Sequence, residues 1–170
     1  PDLILCYGAH PDQCIDLWHG GARSGSRALI VLLHGGFWRP TYDRAHMVPM
    51  AQALAKAGWS VANMEYRREP GNPDVTMSDV SAALDFLIAK PRAVPDDGRM
   101  VVAGFSAGGH LALWLAATST QRKLVGALGM APAVAALGLR PVVTDTIMGD
   151  DTSRARLAGE VLDAWHGAPP

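Results

Sequence analysis

The sequence predicts an α/β fold built on a mainly parallel sheet, and three observations carry the prediction. Short β-branched and aliphatic runs alternate along the chain with segments whose apolar residues recur at helical spacing. Residues 28–33 (ALIVLL) are apolar without interruption, as expected of a strand covered by helices on both faces. Glycine-rich turns, HGGFW at 34–38 and GFSAGG at 104–109, follow two of the strands where connections to helices belong.

In chain order, residues 13–18 (QCIDLW) alternate between two faces and read as a half-exposed strand near a sheet edge. GGARSGS at 20–26 reads as a turn and 28–33 as the buried strand. From 44 to 57 Met47, Met50, Ala51, Leu54 and Ala55 form a helical stripe, with Gly58 where a C-cap belongs. Residues 59–66 (WSVANMEY) are strand-like, and REPGNPD is a proline-bearing loop. Thr76 and Asp79 then form a capping pattern for a helix across Val80, Ala83, Leu84 and Leu87. Residues 91–98 read as a loop, 99–104 as a short buried strand, 107–118 as an apolar helix and 124–130 as one more strand.

A chain of 170 residues, 49% hydrophobic and 18% charged, can bury a core as one domain over 1–170. The formal net charge of −1, with no long run of either sign, argues against nucleic acid or anionic lipid and for a small-molecule partner. A homodimer stays open. Cys6 and Cys14 lack metal-type spacing and are expected to be reduced and packed; no metal or other cofactor is expected. The apolar runs at 111–117 and 131–139 fall short of the ~18 residues a membrane span needs, and no signal-like start is visible. A cytoplasmic protein is expected, although the chain opens on Pro1 rather than Met.

Gly104-Phe105-Ser106-Ala107-Gly108 is G-x-S-x-G, set between a buried strand and an apolar helix. A serine at so tight a turn is strained, and Gly104 and Gly108 keep neighbouring chain clear of it. The following helix points unpaired N–H groups and its positive dipole end at the hydroxyl, so negative charge forming there is stabilised. Taken alone, Ser106 also reads as an ordinary N-cap.

A serine attacking a carbonyl creates an oxyanion, and one N–H, that of Ala107, rarely suffices to hold it. In a parallel sheet the carboxyl ends of adjacent strands share one edge, so HGGFW can lie beside the serine turn. Gly35 and Gly36 let the backbone turn sharply enough for Gly36 and Phe37 to donate N–H groups. A simpler reading makes HGGFW a glycine-rich turn, with His34 satisfied by backbone and Trp38 packed on the core.

YGAHPDQCIDLW, LLHGGFW, WSVANMEYRR and VVAGFSAGGHLALW together resemble the α/β-hydrolase superfamily, in the HGGxW branch of kynurenine formamidases and small carboxylesterases. The resemblance covers most of the chain. It implies a serine hydrolase with Ser106 as nucleophile, Gly36, Phe37 and Ala107 as oxyanion donors, an acyl-enzyme, and an ester or aryl-formamide substrate. His34 then braces the loop, with Gly35, Trp38, Gly104 and Gly108 in support, and His110 faces away from the reacting centre. Phe37, Trp38 and Tyr42 are expected to wall the entrance.

Family order continues from the serine to an acid and then a histidine, each after a further strand. Residues 140–151 (RPVVTDTIMGDD) could carry the acid at Asp150 or Asp151, followed by a helix at 154–165 and His166. Alternatively 133–165 form an excursion over the site and the chain stops before the acid strand. The second reading is preferred because PVVTDT is a poor buried strand. Either way the triad is incomplete, so the 170 residues are expected to be a C-terminally truncated piece of a hydrolase, with an inactive fragment or non-catalytic binding protein as the alternative.

Overall fold

The computed structural model describes residues 1–21, 28–90 and 99–119, together with the strand placement of 124–128. Most of the expected turn at 20–26, the loop at 91–98 and every assignment within 129–170, including Asp150, Asp151 and His166, lie outside the described residues.

Among the described residues six strands form one sheet: β1 (Leu3–Cys6), β2 (Cys14–Trp18), β3 (Leu29–Leu33), β4 (Val61–Met64), β5 (Met100–Gly104) and β6 (Leu124–Leu128). Helices α1 (Val48–Lys56), α2 (Pro73–Ile88) and α3 (Ala107–Thr118) connect the strands from β3 onward. The strand order is β1-β2-β4-β3-β5-β6, antiparallel in the first two pairings and parallel in the remaining three.

Strand β3 is central and buried at every residue, as its continuous apolar run requires. Leu29, Val31 and Leu33 face one core with Val80, Leu84 and Leu87 of α2 and Leu111 and Leu115 of α3. Ile30 and Leu32 face the other, with Met50, Ala51 and Leu54 of α1. The chain leaves β3 for β4 on one side and later steps back over β3 to β5 on the other. Strand order therefore reverses between β3 and β5, and the crevice outside their carboxyl ends is where open α/β sheets bind ligands.

Several boundaries differ from expectation for identifiable reasons. Strand β2 is buried along its whole length, because β1, a strand the pattern did not disclose, covers its outer edge. Asp16, mid-strand, is buried against Arg44, whose Nε lies 2.9 Å from its carboxylate. Cys14 is buried as expected, but its register partner Cys6 is exposed. The stripe from 44 to 57 divides into a 3-10 turn, Arg44–Met47, and α1, since Pro49 has no N–H to continue an α-helical ladder. Gly58, at φ +91°, ends α1, and the Trp59 N–H reaches back to the Leu54 carbonyl at 3.1 Å. Helix α2 starts at Pro73, upstream of the expected cap, because proline at the first turn presets φ and needs no donor. Thr76 and Asp79 instead tie α2 to the chain after β4: Thr76 donates to the Arg67 carbonyl at 2.6 Å, and Asp79 accepts from Arg67 N at 3.0 Å and Nε at 2.9 Å. Among the described residues no helix is long and apolar enough to cross a membrane.

Leu84, 2% exposed, anchors α2 on the sheet. Leu84→Ala is expected to cost about 2–5 kcal/mol. Urea denaturation should show a lower midpoint at unchanged slope; a wild-type midpoint would contradict this placement.

Candidate active site

The register of β3 with β5 sets the site. Leu33 pairs with Gly104, so the segments that follow, 34–38 and 105–107, leave the sheet side by side. They meet backbone to backbone. A Cβ on Gly35 would lie 2.7 Å from the Phe105 carbonyl oxygen and 3.1 Å from Ser106 Cβ. One on Gly108 would strike the carbonyls of Leu33 and His34, and one on Gly104 the carbonyl of Gly108. Both halves of G-x-S-x-G are thus steric requirements of this junction.

Ser106 has φ 52° and ψ −116°, a conformation an L-residue adopts only at a cost of order 1–3 kcal/mol. Its side chain makes no capping bond to α3, so the ordinary N-cap reading does not apply. The hydroxyl-bearing residue is exposed at the head of a helix whose first residue, Ala107, is buried. The Gly108 N–H turns back to Phe105 O at 2.9 Å. Among the described residues, the N–H groups of Gly36, Phe37 and Ala107 have no hydrogen-bond acceptor.

The expected loop is more strained than its glycines alone imply. Gly36 has φ 122°, and Phe37 and Trp38 follow at 54° and 56°. The turn closes through Arg39 N–H to Gly36 O at 2.9 Å. Phe37 is 73% exposed, with Trp38, Tyr42 and Phe105 also exposed around the mouth. Trp38 is therefore not packed on the core. The His110 ring meets it edge-on at 5.8 Å, which places this histidine beside the glycine loop.

Behind the loop lies a buried polar cluster that the motifs did not announce. His34 is fully buried; its Nδ1 donates to the Gly35 carbonyl at 2.7 Å and its Nε2 lies 2.9 Å from Glu65 Oε1. The ring stacks on Tyr66 with centroids 4.3 Å apart, and the Tyr66 hydroxyl donates to the His34 carbonyl at 2.5 Å. Arg68 reaches both His34 Nε2, at 2.8 Å, and Glu65 Oε1. Glu65 Oε2 accepts the Arg44 N–H at 2.8 Å. The available sequence signal was EYRR, a run of charge placed directly after a buried strand and beside β3.

Burial by itself would raise the Glu65 carboxyl. Hydrogen bonds from His34, the Arg44 N–H and Arg68 outweigh it and hold the group down to about 2, from 4.5. Burial raises Tyr66 well above its ordinary range. Among the described residues no group of three or more His, Cys, Asp or Glu is placed to hold a metal ion.

The BD-FAE family model matches residues 15–137, more than half of the chain. The non-reducing polyketide synthase trt4 of Aspergillus terreus is 30% identical over 127 residues, covering 66% of this chain and 5% of the synthase. Isoprenylcysteine alpha-carbonyl methylesterase ICME of Arabidopsis thaliana is 27% identical over 124 residues, covering 72% of this chain and 29% of the plant enzyme. The chain thus spans less than a third of either curated relative. Among solved structures, esterase B from Lactobacillus rhamnosis is similar at a TM-score of 0.60 and 27% identity, over 83% of this chain and 44% of that one. Thermogutta terrifontis esterase 2 shares the fold at a TM-score of 0.70 and 15% identity, over 99% and 96%.

Because the folded carboxyl of Glu65 sits below its unfolded value, its stabilisation is present above pH 4.5 and lost as pH falls through about 2. Asp79, also lowered, acts in the same direction: burial opposes the shift, but bonds from Arg67 and Gln13 prevail. Glu65→Gln should therefore flatten, without abolishing, the fall in stability across that acid window. Chemical denaturation at stepped pH measures it, and an unchanged acid slope would contradict the assignment.

Proposed function

We propose that this chain, which belongs to the BD-FAE family within the α/β-hydrolase superfamily, supplies the nucleophile and oxyanion hole of an enzyme that hydrolyses carboxylic esters. The observation that carries the reading is Ser106, exposed at positive φ on the head of α3 and in backbone contact with the strained HGGFW loop.

In this reading Ser106 Oγ attacks the acyl carbon, and the former carbonyl oxygen becomes an oxyanion. The N–H groups of Gly36, Phe37 and Ala107 receive the new charge; each donor in such a hole is worth on the order of 10²-fold or more in rate. Collapse of the intermediate expels the alcohol and leaves an acyl-enzyme, which water hydrolyses through a second oxyanion. The serine proton passes to a general base oriented by an acid, the roles expected of a later histidine and aspartate. His34 does not compete for that role, since both its ring nitrogens are engaged behind the loop. The exposed rings of Phe37, Trp38, Tyr42 and Phe105 give the substrate an aromatic rim. The esterase names among the relatives and solved structures support an ester over an aryl formamide.

A fluorophosphonate probe is expected to label Ser106 in the protein carrying its full catalytic set and to leave Ser106→Ala unlabelled; equal labelling of both would refute the assignment. In the protein carrying its full catalytic set, Ser106→Ala should lower p-nitrophenyl acetate hydrolysis by about 10³-fold or more. Greater turnover of N-formylkynurenine than of short p-nitrophenyl esters would transfer the reading to a formamidase. Labelling with no turnover of either substrate by the complete protein would favour a binding role on this scaffold.

A further inference from the structure

We propose that Glu65 is a positioning residue for the oxyanion loop, acting through His34 on the plane of the Gly35–Gly36 peptide. The inference rests on the acyl-transfer reading of Ser106 and HGGFW, and it assigns the task of keeping that hole open.

A trans peptide is planar, so its C=O and the following N–H point in opposite directions. The Gly35 carbonyl is taken by the buried His34 Nδ1 at 2.7 Å. The Gly36 N–H is thereby turned away from the interior, to the side where Ser106 stands exposed. A peptide between two glycines is also the one that flips most easily, because neither residue restricts φ and ψ through a Cβ. A flipped plane would present a carbonyl oxygen to the developing oxyanion, opposing the charge that the loop is built to receive. The close approach that excludes a Cβ at Gly35 thus brings a hazard, and a hydrogen bond to the Gly35 carbonyl removes it.

His34 can serve as that pin only if its ring is fixed. Tyr66 fixes the ring plane by stacking at an interplanar angle of 4°, but the same plane is kept by a 180° flip about Cβ–Cγ, which would put Cδ2 in the place of Nδ1. Glu65 Oε1, 2.9 Å from Nε2, selects the observed orientation, since the flip would exchange Nε2 for Cε1 and lose this contact. The sheet delivers the pair: Leu33 and Met64 are register partners in β3 and β4, and His34 and Glu65 are the residues that follow. Glu65 is itself held from three directions, by the Tyr66 N–H at 3.1 Å, the Arg44 N–H at 2.8 Å and Arg68. A buried carboxylate between arginines adds little net stability over an apolar cluster of similar volume, so its contribution here lies in geometry.

The test compares wild type with Glu65→Gln, Glu65→Asp, His34→Leu and His34→Asn, each checked for folding by near-UV circular dichroism. The readouts, all in the complete protein, are the rate of Ser106 labelling by an uncharged fluorophosphonate and kcat and KM for p-nitrophenyl acetate. Glu65→Gln and His34→Leu are expected to slow labelling and lower kcat by about 10- to 100-fold, with KM within about threefold, as befits loss of an oxyanion donor. His34→Asn, whose amide stands near the place of Nδ1, should recover most of the loss. Glu65→Asp withdraws the carboxylate by one methylene while keeping its charge, and reads the same contact if Gln prevents folding. Wild-type labelling and kcat in folded Glu65 variants, with Ser106→Ala unlabelled, would overturn the inference and leave the acyl-transfer reading standing. Failure of wild type itself to label at Ser106 would overturn both.

Discussion

The contact between the end of β3 and the start of α3 is the constraint on which the rest of this structure depends. Parallel pairing of Leu33 with Gly104 brings the two outgoing turns to one edge, and the missing Cβ atoms of Gly35, Gly104 and Gly108 let them close on each other. Widening that junction by even one methyl group would push the serine turn and the loop apart. The sheet and its helices matter to the site chiefly because they hold this junction: α1 packs on one face, α2 and α3 on the other, and the turns emerge between them.

The junction carries strain, and the strain has to be offset. Phe37, Trp38 and Ser106 all lie at positive φ, each at a cost of order 1–3 kcal/mol. Together they rival the net stability of a typical domain, about 5–15 kcal/mol. Loop residues largely open to solvent cannot supply that from their own side chains, and Phe37 at 73% exposure plainly does not. What holds the strained geometry lies beneath, where buried His34, Tyr66, Glu65 and Arg68, with half-buried Arg44, bind one another and the loop backbone, while the free energy comes from the fold as a whole. Breaking one member would strand buried charge, which is far more costly than never having placed it there. The strained turn and its polar foundation therefore stand or fall together.

Much of this was legible in the sequence, for reasons that differ by element. Strand β3, strand β5 and helix α3 announced themselves because burial on both faces forces uninterrupted apolar runs, and G-x-S-x-G marked the turn between the last two. Strand β1 stayed hidden because four residues with exposed Leu3 and Ile4 leave no burial pattern to read. Strand β2 was misjudged because Asp16 suggested a solvent-facing side, whereas Arg44, remote in sequence, buries it. Asp79 was taken for a helix cap for the same reason: its partner Arg67 belongs to another element. Glu65 was missed because it fell inside the strand-like run at 59–66, where a single charge points to no particular partner, whereas the strand ends at Met64. Only the register of β3 and β4 turns it inward against His34. What escaped the sequence, then, is mostly pairing between distant charges.

The exposed aromatics Phe37 and Trp38 share one turn with the proposed oxyanion donors. At φ near 55° the left-handed region is sterically restricted for any residue with a Cβ, and a bulky side chain is rarely found there. Phe37 and Trp38 both lie there, and both rings are exposed. In the proposed reading Phe37 thus serves twice, by its N–H as a donor and by its ring at the rim. A residue at 37 or 38 must both tolerate the left-handed region and supply apolar surface to whatever enters. In the proposed acyl-transfer reading, recognition and charge stabilisation are therefore coupled through a single turn, and a change of specificity made there would act on the proposed oxyanion donors as well.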